Sequence, residues 1–281
     1  MIRTDLAVEG INGAKNIEGI RQKKRGRAFK VTEIEIESDD MREVIGKGKG
    51  RYITLESGNL SRFSDDYEEM VRELSGELSD FLPDGDALFV GLGNSDITPD
   101  ALGPLTASKV LATRHLRDEF SADDEKFLTS LRRVSVFSGG VLGQTGIETA
   151  ELVGAICRKT EPSVIVVVDA LACSDVSRLG TTIQISDSGI SPGSGVLNAR
   201  KELSQKLFGV PVIAVGVPTV ADMHTIVRSF TDSEPDSALP NMIVTPRDID
   251  RLVERSAQLI AFAVNMAFHP ALTFDDVRAL F

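Results

Sequence analysis

The distribution of apolar residues changes at residue 87, and from there on it predicts an α/β fold. Short, almost wholly apolar runs alternate with longer segments whose apolar residues recur at helical spacing. This alternation favours a mixed, mostly parallel sheet with helices on both faces, which is a three-layer α/β sandwich. The predicted strands are residues 87–92, 133–137, 163–169, 181–185, 211–217 and 241–245, and the predicted helices are 99–115, 147–159, 219–230, 246–268 and 274–280.

The first 60 residues follow a different pattern. Residues 29–37 alternate apolar and charged side chains, as a half-exposed antiparallel strand does, and residues 52–55 form a second extended run after a glycine-rich turn. Apolar residues then recur at helical spacing over 65–82, which predicts a helix. We therefore expect one domain over residues 1–281, with residues 1–60 as a small β-rich appendage packed on it.

Two aspartates lie where predicted strands of the main sheet end. Asp100 follows the apolar run at 87–90 and a Gly-x-Gly turn at 91–93, and Asp169 ends the run at 163–168. Catalytic groups of open α/β sheets collect at the carboxyl ends of the strands. Two carboxyl groups held close together share one proton, so that one activates water and the other protonates a leaving amine. The pattern predicts peptide-bond hydrolysis without a metal.

The turn before Asp100 has two other interpretations. Thr98-Pro-Asp100 also suits a helix start, where threonine is a good cap, proline is favoured and an acid complements the helix dipole. The glycines at 91 and 93 are typical of a dinucleotide-binding loop, but Asp96 stands where that motif has its third glycine. An acid at that position would repel a diphosphate, so nucleotide binding is the weaker hypothesis.

Two further catalytic arrangements stay open. Asp100, Glu148 and one of His115, His224 and His269 are conceivable metal ligands, although no His-Glu-x-x-His motif is present. A Cys173 nucleophile paired with His224 is weaker still, because nothing nearby in the sequence activates the thiol.

Three glycine-containing loops are candidates to frame the site: residues 138–146, 186–195 and 216–219. The first leads into a helix whose free amides can hold an oxyanion or a substrate carboxylate, and the second is long enough to grip a substrate backbone. Each also suits a plain connecting loop. The candidate substrate-binding residues are Gly91, Asn94, Gln144, Thr145, Glu148, Thr182, Gly193 and Gly195.

Composition narrows the class of partner. The chain has 31 basic and 42 acidic residues, and the resulting net charge of −11 disfavours binding to nucleic acid or to an anionic membrane. No stretch reaches the roughly 18 uncharged apolar residues of a membrane-spanning helix, and the start lacks the pattern of a signal peptide. The two cysteines, Cys157 and Cys173, fit a reducing compartment. We expect a cytoplasmic protein that needs no cofactor.

The motifs taken together resemble those of the germination proteases of endospore-forming bacteria. The matching segments follow one another in order along nearly the whole chain. They include Thr98-Pro-Asp-Ala-Leu-Gly-Pro104 and Val168-Asp-Ala-Leu-Ala172, and the remaining ones are residues 1–9, 91–94, 142–151, 179–185, 191–196, 216–220 and 243–250.

The resemblance implies an endopeptidase that degrades small acid-soluble spore proteins in the spore core at germination. It also implies an atypical aspartic peptidase that is made as a zymogen and assembled as a homotetramer, with a fold similar to the hydrogenase-maturation endopeptidases. The two proposed catalytic aspartates of the family correspond here to Asp100 and Asp169. The alternatives are a metal-dependent peptidase of the same fold and a noncatalytic module that binds spore proteins.

Overall fold

A mixed β-sheet forms the centre of the computed structural model, which describes residues 4–11, 20–39, 46–118, 130–193, 201–231 and 242–281. Across the sheet the strand order is β1-β2-β3-β7-β8-β6-β4-β5, and β9 pairs with the end of β8. Strands β8, β6, β4 and β5 run parallel, and the other pairs are antiparallel. The strands are β1 Ile20–Arg25, β2 Lys30–Ile36, β3 Gly50–Glu56, β4 Ala87–Gly91, β5 Val134–Phe137, β6 Val164–Ala172, β7 Thr182–Ser186, β8 Val212–Asp222 and β9 Ile243–Val244.

Helices of very different length connect and cover these strands. The longest is α8, Ile249–Phe268, and short 3-10 turns occur at Thr98–Asp100, Arg114–Asp118 and Val176–Arg178. Within the described residues no helix is long and apolar enough to cross a membrane. The other helices are α1 Ala7–Ile11, α2 Tyr67–Ser79, α3 Leu102–Ala107, α4 Leu142–Thr145, α5 Thr149–Thr160, α6 Gln205–Phe208, α7 Met223–Phe230 and α9 Phe274–Leu280.

Strand β6 shows how the sheet is covered on both faces. Its residues 164, 166 and 168 belong to the hydrophobic cluster that includes α2, α3 and α8, whereas Ile165 and Val167 belong to the cluster that includes Val153 of α5. Because successive side chains of a strand point to opposite faces, both faces of β6 are buried and the run is continuously apolar. The predicted three-layer α/β sandwich with a mixed sheet is confirmed, and its parallel part consists of β8, β6, β4 and β5.

Strands β1, β2 and β3 belong to the same sheet and join it through the pairing of β3 with β7. Strand β3 pairs with β7 in antiparallel register from Tyr52 opposite Ser186 to Glu56 opposite Thr182. Leu6 and its neighbours at 7–8 pack in a cluster with apolar side chains of β2 and β3. The division of the chain into a domain and an appendage stays a prediction.

The helix predicted over 99–115 is wrong in its length. The chain forms a 3-10 turn at Thr98–Asp100, then α3, and leaves the helix after Ala107. The buried side-chain amide of Asn265 in α8 explains why the helix ends there. Asn265 Nδ2 donates to Lys109 O and Asn265 Oδ1 accepts from Leu111 N, both at 2.8 Å. These bonds satisfy backbone groups that a continuing helix would have satisfied itself.

Strands β6 and β8 both extend beyond their predicted ends. They pair from Ile165 opposite Val212 to Ala172 opposite Val220, with one irregularity in register near Leu171. Asp169 therefore lies inside β6 rather than at its end. The predicted helix 219–230 is correspondingly shorter: it begins at Met223, and Asp222 caps it by accepting from Thr225 N at 3.0 Å.

Replacing Gly103 should force α3 away from the sheet. A Cβ atom at Gly103 would lie 2.2 Å from Leu92 O and 2.5 Å from Val168 O. Because overpacking of a buried contact typically costs 1–3 kcal/mol, we expect Gly103→Ala to lower the free energy of unfolding in urea by about 2 kcal/mol. Gly76→Ala in α2 is the control, since open space surrounds Gly76 and alanine favours a helix interior. Equal stability of the Gly103 variant and the parent would contradict the close contact.

His269 should make stability depend on pH. It is buried where α8 ends, and burial lowers its pKa to about 4. The unfolded chain binds the proton near pH 6.5, so the contribution of the neutral ring is complete above that pH and is lost as the pH falls toward 4. A shift of this size corresponds to about 3 kcal/mol. Urea unfolding between pH 7 and 4 should show this loss in the parent and not in His269→Gln; parallel curves would exclude His269 as its source.

Candidate active site

Asp100 is presented by the loop that leaves β4. Gly93 has a φ of +114°, and a Cβ atom there would lie 2.0 Å from Asp100 O, so the turn needs glycine for both reasons. The amide of Asn94 donates to Asp100 Oδ2 at 2.8 Å. Thr219 Oγ1 of β8 donates to Pro99 O at 2.8 Å, which ties the turn before Asp100 to the sheet. The loop therefore fixes the carboxyl group relative to the central strands.

Asp169 is supplied by the sheet itself. It lies opposite Gly216 of β8, and its side chain is 5% exposed. Its Oδ1 accepts from the amide of the next residue, Ala170, at 2.9 Å. The ladder with β4 ends one residue earlier, at Val168, and the pairing with β8 continues beyond Asp169 to Ala172, so the sheet holds the backbone that carries this carboxyl group.

The two carboxyl groups have different electrostatic environments. Burial raises the pKa of Asp169 well above its usual value, and the negative charges of Asp100 and Asp5 raise it further. Burial also raises the pKa of Asp100, but the amide of Asn94 opposes that effect by stabilising the carboxylate. Asp169 is thus the group that holds a proton more strongly, and a pair whose pKa values are pushed apart suits acid and base roles.

A cavity of about 580 Å³ contains both aspartates. Of the candidate substrate-binding residues, Asn94, Glu148 and Gly193 line it. Ile97 and Ile243 also line it and are about half exposed, so its wall includes apolar side chains that are accessible from outside. The cavity is therefore lined both by acidic side chains and by apolar side chains that are exposed to solvent.

Gln144, in the short helix α4, connects that helix to the loop that carries Asp100. Residues 141–143 line the cavity, and Gln144 Nε2 donates to Asn94 Oδ1 at 2.8 Å and to Asp96 Oδ2 at 3.1 Å. The predicted residue Thr145 instead forms local bonds, with its Oγ1 close to Val141 O and Ile147 O. Gln144 thus holds the α4 segment, which lines the cavity, against the loop that carries Asp100.

The structure places two other candidate substrate-binding residues away from the cavity. A Cβ atom at Gly91 would lie 2.3 Å from Gly103 O, so glycine at 91 permits the contact between β4 and α3. Thr182 is buried at the start of β7, opposite Glu56. Neither lines a cavity that contains the aspartates in the described part of the chain. Gly195 lies outside the described residues.

Nothing in the sequence pattern singles out Asp5 or Lys47. Asp5 lines the cavity described above and also a second one of about 290 Å³, which Lys47, Gln184 and Glu202 line as well. Lys47 Nζ donates to Asp5 O at 2.9 Å, and burial lowers its pKa. Asp5 lies in the motif at residues 1–9, but neither a strand end nor an apolar run marks it as functional.

Metal ligation and thiol chemistry have little local support. Among the residues that the structure describes, no group of three or more His, Cys, Asp or Glu side chains is arranged to hold a metal ion. The histidines at 115, 224 and 269 do not line the cavity around Asp100. Burial raises the pKa of Cys173 to about 12, which disfavours the reactive thiolate.

Comparison with known proteins shows the class of the protein. The family model described as germination protease matches residues 3–233. The germination protease of Clostridium tetani is 38% identical over 99% of this chain and 98% of its own, and that of Bacillus subtilis is 42% identical over 83% of this chain and 66% of its own. Family membership therefore indicates a peptidase. The chain belongs to the germination protease family.

A solved structure is also similar. The nickel-iron hydrogenase maturation protease HycI from Thermococcus kodakarensis KOD1 aligns with a TM-score of 0.38 and 20% identity, covering 67% of this chain and 98% of its own.

Removing the charge of Asp100 should lower the pKa of Asp169. In the parent protein we expect the pKa of Asp169 to lie well above the usual value of an aspartate, and Asp100→Asn to lower it because a repelling carboxylate is lost. Carbon NMR of labelled aspartate carboxyl groups measures both. Asp80→Asn, on the surface after α2, is the matched control and should leave Asp169 unchanged. No difference between the two variants would show that the carboxyl groups do not interact.

Proposed function

We propose that the protein is an endopeptidase that hydrolyses small acid-soluble spore proteins during spore germination, with Asp100 and Asp169 as its catalytic pair. Membership of the germination protease family supports the reaction and its physiological setting. The observation that carries the catalytic proposal is the buried carboxyl group of Asp169 in the same cavity as Asp100. Two acids with different environments in one accessible cavity suit hydrolysis of an amide by water.

The environments favour one assignment of roles. Asp100, with the lower tendency to hold a proton, is the base: its carboxylate takes a proton from water as the water oxygen attacks the peptide carbonyl carbon. Asp169 is the acid: its proton passes to the peptide nitrogen as the carbon–nitrogen bond breaks. The products are a carboxylic acid and an amine. Asp100 then releases its proton to solvent, and Asp169 takes up a proton from solvent. Both groups are thereby restored to their starting states.

The cavity walls suit an extended peptide. Apolar side chains of the substrate would contact Ile97 and Ile243, and the α4 segment held by Gln144 would contact the part of the substrate near the aspartates. Glu148, at the start of α5, lines the same cavity and adds negative charge to it. This distribution supports binding by apolar contacts and backbone hydrogen bonds, with charge kept near the reacting bond.

Three further properties of the family belong to this proposal. The resemblance supports activity in the cytoplasm of the spore core, synthesis as a zymogen and assembly as a homotetramer. Sedimentation analysis of the purified full chain tests the assembly. Mass spectrometry of the chain before and after activity appears tests processing.

Asp100→Asn and Asp169→Asn should each abolish cleavage of a small acid-soluble spore protein. Asparagine keeps the shape of aspartate but neither takes the proton from water nor donates one to the amine, and loss of such a role lowers the rate by about 10²- to 10⁴-fold. Cleavage is measured as new fragments by mass spectrometry, with circular dichroism to check folding. Asp80→Asn, on the surface, should keep the parent rate. Parent-like activity in either active-site variant would refute the pair.

Two controls separate this mechanism from its alternatives. Exhaustive chelation should leave the rate unchanged, and loss of activity that added metal restores would favour a metal-dependent peptidase. Intact spore protein in a stoichiometric complex with the parent chain would favour a noncatalytic binding module.

A further inference from the structure

Asp5 occupies the boundary between the two cavities. It lines both the cavity of about 580 Å³ that contains Asp100 and the one of about 290 Å³ beside it. Of the described residues, only Asp169 and Gly193 share that position. A carboxyl group from the beginning of the chain is thus placed next to the proposed catalytic acid.

Several hydrogen bonds hold the backbone of Asp5 in this place. Its amide donates to Ala172 O at 2.9 Å, and the Ala172 amide donates to Asp5 Oδ2 at 2.8 Å. Its carbonyl oxygen accepts from Lys47 Nζ at 2.9 Å and from Gln184 Nε2 at 2.8 Å. Gln184 Oε1 also accepts from the amide of Ala7 at 2.6 Å. Asp5 is therefore fixed to β6 and β7 and cannot move away from Asp169 without breaking them.

Resting on the function proposed above, we propose that Asp5 is a positioning residue, whose fixed negative charge keeps the proton on Asp169 until the leaving amine takes it. The geometry is supported by the electrostatics, because the charge of Asp5 adds to burial and to Asp100 in raising the pKa of Asp169. Asp100 loses its charge when it accepts the proton from water. The charge of Asp5 persists through the step, and it favours reprotonation of Asp169 after the amine has left.

The other charged groups around Asp5 and Asp169 define the control. Asp100 and Glu148 face them from the larger cavity, and Lys47 and Glu202 from the smaller one. Glu9 lies four residues after Asp5 but lines neither cavity; it accepts from Ser174 N at 2.7 Å. Glu9→Gln therefore disturbs the same segment without changing the charge on the cavity wall.

The test is the pH dependence of kcat/KM for cleavage of a small acid-soluble spore protein by the full chain. Activity falls on the alkaline side as Asp169 loses its proton. In Asp5→Asn we expect this alkaline limb to move down by about one pH unit, so that kcat/KM is about tenfold lower above the limb. Asp5→Glu restores the charge and should return the limb toward the parent position. Glu9→Gln should leave it in place.

Carbon NMR of Asp169 in the same variants gives a readout that does not need activity. A lowered pKa of Asp169 in Asp5→Asn, with none in Glu9→Gln, would agree with the kinetic shift. An unmoved limb and an unmoved Asp169 pKa in a folded Asp5→Asn protein would overturn the proposal. Loss of activity in Asp100→Asn and Asp169→Asn would still support the catalytic pair in that case, so the two proposals fail separately.

Discussion

The burial of a carboxyl group inside a paired strand is the constraint on which the rest of the site depends. An isolated ionised carboxylate is very costly in a low-dielectric interior, so such a group is either paired with a cation or kept neutral. Burial favours the protonated form of Asp169, and the negative charges of Asp100 and Asp5 favour it further. The buried Glu9 shows the other solution: Ser174 donates to it from its amide and hydroxyl, and the guanidinium of Arg178 is 3.8 Å away.

Close packing around β6 makes this burial possible. Helix α3 approaches β4 and β6 very closely. A Cβ atom at Gly103 would collide with the backbone oxygens of Leu92 and Val168. The same approach fixes the turn before α3, and with it Asp100. Packing and the proposed site are therefore linked at this point, because the contact between α3 and β6 lies directly beside the turn that carries Asp100.

The sequence predicted what depends on local pattern. Apolar runs placed β4 and β6, and Asp169 was singled out because it ends the predicted apolar run, although β6 continues beyond it to Ala172. The end of α3 could not be predicted, since it depends on Asn265, which is more than 150 residues away in sequence. Asp5 was missed for a similar reason: only the fold brings the beginning of the chain next to β6.

The two proposed catalytic groups differ in how firmly the fold holds them. Asp169 belongs to a strand with neighbours on both sides, so its position changes little while the sheet remains intact. Asp100 belongs to a loop whose amide at Asn94 holds its carboxylate, while the side chain of the same Asn94 accepts from Gln144 in α4. A substrate that displaced Gln144 would therefore act on the residue that orients Asp100. In the proposed mechanism this would change the setting of the base, whereas the proposed acid, Asp169, is carried by the sheet.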